Sequence, residues 1–198
     1  MAATRSRAAV AWAFSLCLAL AACGKNAPQW HGSPYSSPPP APDIVLTDTS
    51  GDTFRLSDRR GAPALLYFGY THFPDVCPAT LGDLKWIFEQ LGPQADRLTV
   101  AFVTVDPARD SPEVLRAYLD LFESRFVGLT GTLEDIKAAA DPYGVMIEHA
   151  THGGLDEISH TARVFLIDGN GLLQTNYSYG TPREEILEDL QAALGNAP

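Results

Sequence analysis

The sequence predicts an α/β sandwich, a central mixed sheet with helices on both faces and an N-terminal β-hairpin. Three observations carry this. Residues 64–68 and 98–105 are continuous apolar runs of strand length, the pattern of central strands covered on both sides. Between them Leu81, Leu84, Ile87, Phe88 and Leu91 recur at helical spacing, which makes a β-α-β unit. Further on, Asp168-Gly169-Asn170-Gly171 separates two apolar runs and reads as a hairpin turn.

In chain order, Arg5 and Arg7 precede an apolar run from Ala8 to Leu20 that is too short to span a bilayer, and residues 1–22 read as an export signal. Leu20-Ala21-Ala22-Cys23 resembles a bacterial lipobox, in which Cys23 carries lipid and becomes the new N-terminus. Residues 23–42 are then the lipidated cysteine and a Pro/Ser-rich linker. Their composition predicts a semi-rigid, partly polyproline spacer, or an unstructured leader, reaching up to roughly 50 Å from a membrane. Residues 43–198 suffice for one domain with a sizeable core. Losing Arg5 and Arg7 takes the formal charge from −10 to −12. An acidic domain with no basic cluster argues against nucleic acid or anionic lipid as a partner.

Within the domain, residues 44–47 and 53–56 flank the turn-like cluster 48–52 and predict the entering hairpin. The first strand and helix follow, at 64–68 and 78–91. Ser111-Pro112 opens a helix over 113–122, and Thr132 caps another over 133–140. Residues 145–148 are a weak strand candidate, and 163–167 with 172–176 form the second hairpin. Thr181-Pro182-Arg183-Glu184 combines a capping box with a first-turn proline and opens a helix to Leu194. This order fits a sandwich of thioredoxin type.

Of three cysteines, Cys17 falls in the signal and Cys23 at the lipid, so Cys77 is alone in the domain and no intramolecular disulfide can form. An unpaired thiol in an oxidising compartment needs burial or a task such as metal binding. Cys77 sits where a strand turns into a helix. Backbone N–H groups and the helix dipole there favour thiolate, which suits a nucleophile or a soft-metal ligand, although a small buried core residue fits the position equally.

The run Tyr67-Phe68-Gly69-Tyr70-Thr71-His72-Phe73-Pro74-Asp75-Val76-Cys77-Pro78 resembles the signature of the Sco/SenC family, copper-handling proteins of thioredoxin fold that serve cytochrome c oxidase assembly. Residues 103–112, 126–131 and 159–168 are similar to that family in the same order. The resemblance implies that Cys77, the second cysteine of a C-x3-C-P motif, and His160 are metal ligands for copper, as Cu(I) or Cu(II). The first cysteine of the motif is replaced by Phe73, which offers copper no donor.

The resemblance further implies a lipid-anchored protein at the bacterial cell membrane, facing the periplasm or cell exterior. Its partners would be a cytochrome c oxidase subunit or another copper carrier, and no catalytic residue is assigned. His72, Met146, His149 and His152 are conceivable replacement ligands, the last three in a loop-like stretch, although surface or core roles suit each better. Asp75 is read as a helix cap, Asp106 as a strand terminator, and Arg109 and Asp110 as local ion pairs or caps near the next helix. Two other functions remain open: a Sco-like binding protein without metal, and a single-thiol redox enzyme acting through Cys77, with Thr80 where a C-P-x-C motif has its second thiol.

Overall fold

Side chains alternate along a strand, so a fully apolar strand must be covered on both sides. Leu65 and Tyr67 pack into one core cluster and Leu66 and Phe68 into another, all at most 1% exposed. That single strand dictates a three-layer fold. The computed structural model describes residues 28–72, 75–152 and 155–195. Within them the strands are β1 (Ser33–Pro34), β2 (Val45–Asp48), β3 (Thr53–Arg55), β4 (Ala64–Gly69), β5 (Thr99–Thr104), β6 (Val127–Thr130), β7 (Ile147–His152), β8 (Leu155–His160), β9 (Arg163–Ile167) and β10 (Leu173–Ser178). The helices are α1 (Val76–Leu91), α2 (Pro112–Asp120), α3 (Leu133–Ala140) and α4 (Arg183–Gly195).

Eight strands form one mixed sheet in the order β1-β10-β9-β4-β5-β6-β2-β3, while β7 and β8 form a separate two-stranded ribbon. β4, β5 and β6 run parallel and β9 runs antiparallel to β4. Helices α1, α2 and α4 bury Leu81, Leu115 and Leu190 on the Tyr67 face. Helix α3 and the segment 44–56 bury Ile136, Ile44 and Phe54 on the Phe68 face. The predicted hairpins and helices are present, and Ser111 and Thr132 cap as expected, accepting from the amides of Val114 and Asp135 at 3.3 and 3.1 Å. No helix among the described residues is long and apolar enough to cross a membrane.

Several expectations need correction. Thr181 does not cap α4; its hydroxyl donates to the Ser178 carbonyl at 2.9 Å. Asp75 sits at the N-cap position of α1 without a side-chain cap bond. The stretch read as loop-like before His160 is the β7–β8 ribbon, whose alternation is masked by small and polar residues. Residues 126–131, noted only as a motif, contain β6, which is short and packs α2 directly on Gly128.

Over residues 28–42 the chain is packed rather than a free spacer. Ser33 and Pro34 pair with Asn176 and Thr175 of β10, and Pro40 bridges Leu172. The amides of Tyr35 and Ala41 donate to Gln174 and Gly171 at 3.0 and 2.8 Å, and Leu173 donates to Pro39 at 2.9 Å. Trp30 Nε1 donates to Gln174 Oε1 at 3.1 Å, and His31 Nδ1 stands 2.8 Å from the buried carboxylate of Asp189. A Cβ on Gly32 would meet the Asn176 carbonyl at 2.4 Å, so only glycine lets the backbone lie this close. The packed structure therefore starts well before Asp43. Prolines suit this place because an outermost strand needs donors on one side only, and missing N–H groups on the other discourage further pairing. Residues 1–27, including Cys17 and Cys23, lie outside the described residues.

Candidate metal centre

Three consecutive residues at the end of β4 hold both predicted ligands. The Phe68 carbonyl accepts a hydrogen bond from the His160 imidazole. Gly69 passes so close to Cys77 that an added Cβ would stand 2.9 Å from Sγ. The Tyr70 amide donates to the Cys77 thiol, and the Tyr70 ring packs edge-on to His160 with centroids 5.7 Å apart. Cys77 is placed by the first turn of α1 and His160 by the last residue of β8. Two residues 83 positions apart in sequence thus border the same three-residue stretch.

Their protonation follows from burial. Cys77 is fully buried. Burial pushes its thiol above the ordinary value; hydrogen bonds from Tyr67 and the Tyr70 amide pull it back only in part, and the charge of Asp110 raises it further. This corrects the expectation that the helix N-terminus would favour thiolate, because desolvation outweighs the hydrogen bonds that favour the charged form. Burial also lowers His160, with the Phe68 carbonyl opposing, so the imidazole is neutral at neutral pH and keeps a lone pair.

Tyr67 was missed in the sequence. Its hydroxyl donates to Cys77 Sγ at 3.4 Å and in turn accepts from Thr80. The period-2 pattern could have found it, since Tyr67 lies on the β4 face covered by the helix that carries Cys77. Thr80 therefore supports the thiol at second hand. Its tyrosine partner is pushed well above the ordinary phenol range by burial.

The other candidates divide. Phe73 lies outside the described residues. His149 and His152 fall within β7 and Met146 just before it, 69% exposed. His72, half-exposed, points Nδ1 at the Thr71 hydroxyl, 2.9 Å away, and at Asp110 Oδ1, 3.5 Å away. His72, Asp106 and Asp110 bring ligand-type atoms within 4.8 Å of one another. Asp106 is buried and pairs with Arg109 as expected of a local contact, whereas Asp110 reaches back to Thr71.

Fold and site define a class: a thioredoxin-type α/β protein with one buried thiol and one neutral imidazole, each bordering the end of its central strand. Such a donor pair suits a soft cation, because thiolate and imidazole satisfy Cu(I) at low coordination number. The SCO1/SenC family model matches residues 37–195, and the chain belongs to that family. An SCO2-like protein of Rickettsia felis is 34% identical over 154 residues, which are 75% of this chain and 74% of that one. Apo Sco1 from Thermus thermophilus shares 37% identity at a TM-score of 0.75, over 83% of this chain and 96% of that one. Bradyrhizobium japonicum ScoI, solved with copper bound, shares 31% identity at a TM-score of 0.71, over 77% of this chain and 98% of that one.

Proposed function

We propose that this chain is a membrane-tethered, extracytoplasmic copper-handling accessory for cytochrome c oxidase assembly, with Cys77 and His160 as a reduced, two-donor copper site. The observation that carries it is the shared hold of residues 68–70 on both donors, in a chain 31% identical to a copper-bound Sco protein. The Sco family is one of cytochrome c oxidase assembly proteins, which makes an oxidase subunit or a second copper carrier the fitting partner. Copper is cargo here rather than a resident cofactor. Taking it up requires the Cys77 proton to leave, so affinity rises with pH, while the neutral imidazole contributes its lone pair without that cost.

Cys23 would tether the protein to the bacterial membrane, facing the periplasm or cell exterior. Since Trp30 is already docked, only the residues between 23 and 30 span the gap. At most about 3.6 Å each, they hold the domain within about 25 Å of the lipid, half the reach of a free spacer.

Titrating the reduced chain with Cu(I) against a competing chelator tests the site, beside Cys77→Ala, His160→Ala and Phe73→Cys. Tight binding by the parent, lost in Cys77→Ala and weakened in His160→Ala, supports it. Binding that appears only in Phe73→Cys overturns it in favour of a Sco-like binding protein without metal, the reading that Phe73 favours. The single-thiol redox reading is opposed by the raised thiol, since an attacking cysteine needs thiolate.

A further inference from the structure

The turn between β5 and α2 contributes neither donor, yet it touches the supports of both. Asp110 is fully buried. Its Oδ2 accepts from the Thr71 amide at 3.0 Å and the Thr104 hydroxyl at 2.7 Å, and its Oδ1 accepts from the Thr71 hydroxyl at 2.5 Å. Thr71 follows Tyr70, whose amide donates to Cys77. One residue earlier, Arg109 pairs with Asp106 and lays its guanidinium 5.9 Å from the centre of the Tyr70 ring, the ring that packs against His160. A buried charge is expensive unless several donors meet it, and here three do. The trio His72, Asp106 and Asp110 has the spacing of a cation site. However, Asp110 already serves Thr71 and Thr104, and Asp106 already serves Arg109, so the arrangement is a bracket.

We propose that Asp110 is a positioning residue for the Cys77/His160 site. It clamps Thr71, two residues beyond β4 and next to the Tyr70 amide that donates to Cys77, onto the end of β5, while the adjoining Arg109 steadies Tyr70 against His160. The consequence for copper rests on the function proposed above; the clamp itself exists without metal. Asparagine can replace the carboxylate, because its oxygen can take the Thr71 amide and its NH2 can donate to a Thr71 hydroxyl that rotates. Alanine cannot. Both substitutions remove the same charge, so any difference between them reports the clamp rather than the electrostatics.

The test compares Asp110→Ala with Asp110→Asn in the reduced, metal-free full chain, by hydrogen exchange at the Thr71 amide and by the rate at which a small neutral alkylating reagent labels Cys77. Alanine should speed both about tenfold or more relative to asparagine, as opening of a local structural unit does. On adding copper, alanine should weaken binding by about 10–100-fold relative to asparagine and shift the Cu(II)–thiolate absorption band. Equal exchange and equal labelling in the two variants would overturn the clamp. Faster labelling with unchanged copper affinity would overturn its link to the site. If the parent takes up no copper, the copper reading falls alone, because exchange and labelling still decide the clamp. Should Asp110→Ala not fold, Thr71→Val, which removes one of the three donors, gives the same comparison against the parent and is expected to move labelling in the same direction.

Discussion

Replacing Gly69 with alanine tests the central contact of the site directly. The added Cβ would stand 2.9 Å from Cys77 Sγ and 3.0 Å from both Cε2 and Cζ of Phe102. Ordinary carbon contacts lie at about 3.5–4.0 Å, so each neighbour must retreat by roughly 0.5–1 Å. Neither can do so cheaply, since Cys77 and Phe102 are fully buried. Overpacking of this kind costs about 1–3 kcal/mol, which for a domain of this size lowers Tm by about 2–12 °C. Urea unfolding followed by circular dichroism reads the cost. In a Cys77→Ala background the Sγ obstacle is gone and the Phe102 obstacle remains, so Gly69→Ala should cost less there, by about 0.5–1.5 kcal/mol. Full additivity of the two substitutions, or a Gly69→Ala chain as stable as the parent, would refute the claim that β4 and the Cys77 thiol are in tight contact.

Tyr67→Phe removes the hydroxyl donor to Cys77 and should cost about 1 kcal/mol while raising the thiol further, which the pH dependence of Cys77 alkylation would register as a shift to higher pH. Starting the chain at Asp43 deletes the outermost strand and its backbone bonds to residues 171–176, and is expected to lower unfolding stability by about 2–4 kcal/mol against a chain that retains Trp30. The two histidines should titrate with opposite sign. His160 is held below the ordinary 6.5, so the unfolded chain takes up its proton first and stability falls as pH drops below 6.5. His31 is raised above 6.5, chiefly by its bond to Asp189, so its contribution is full below 6.5 and is lost as pH rises through the folded value. Melting curves between pH 5 and 8 should therefore flatten on the acid side in His160→Gln and on the neutral side in His31→Gln; unchanged slopes would contradict the assignment.

The chain of residues alone determined the elements whose signal is local. Continuous apolar runs marked β4 and β5, helical spacing marked α1, and the Asp168 to Gly171 turn marked the hairpin of β9 and β10, because each depends on neighbours within one turn or one strand. The flanking motifs also singled out Cys77 and His160 as the candidate donors. Tertiary structure decided the rest, for reasons that involve residues far apart in sequence. A Pro/Ser-rich stretch reads as a spacer until the free edge of β10 offers it partners, which is a property of the sheet. The Cys77 thiol would be a thiolate by its place at a helix start; burial under Tyr67 and Gly69 reverses that, because desolvation depends on what surrounds the sulfur. Asp110 looks like a cap for the helix beside it, yet it serves Thr71, 39 residues earlier. Hydrogen-bond partners of a buried charge are chosen by whichever backbone the fold delivers to it, and no local pattern encodes that delivery.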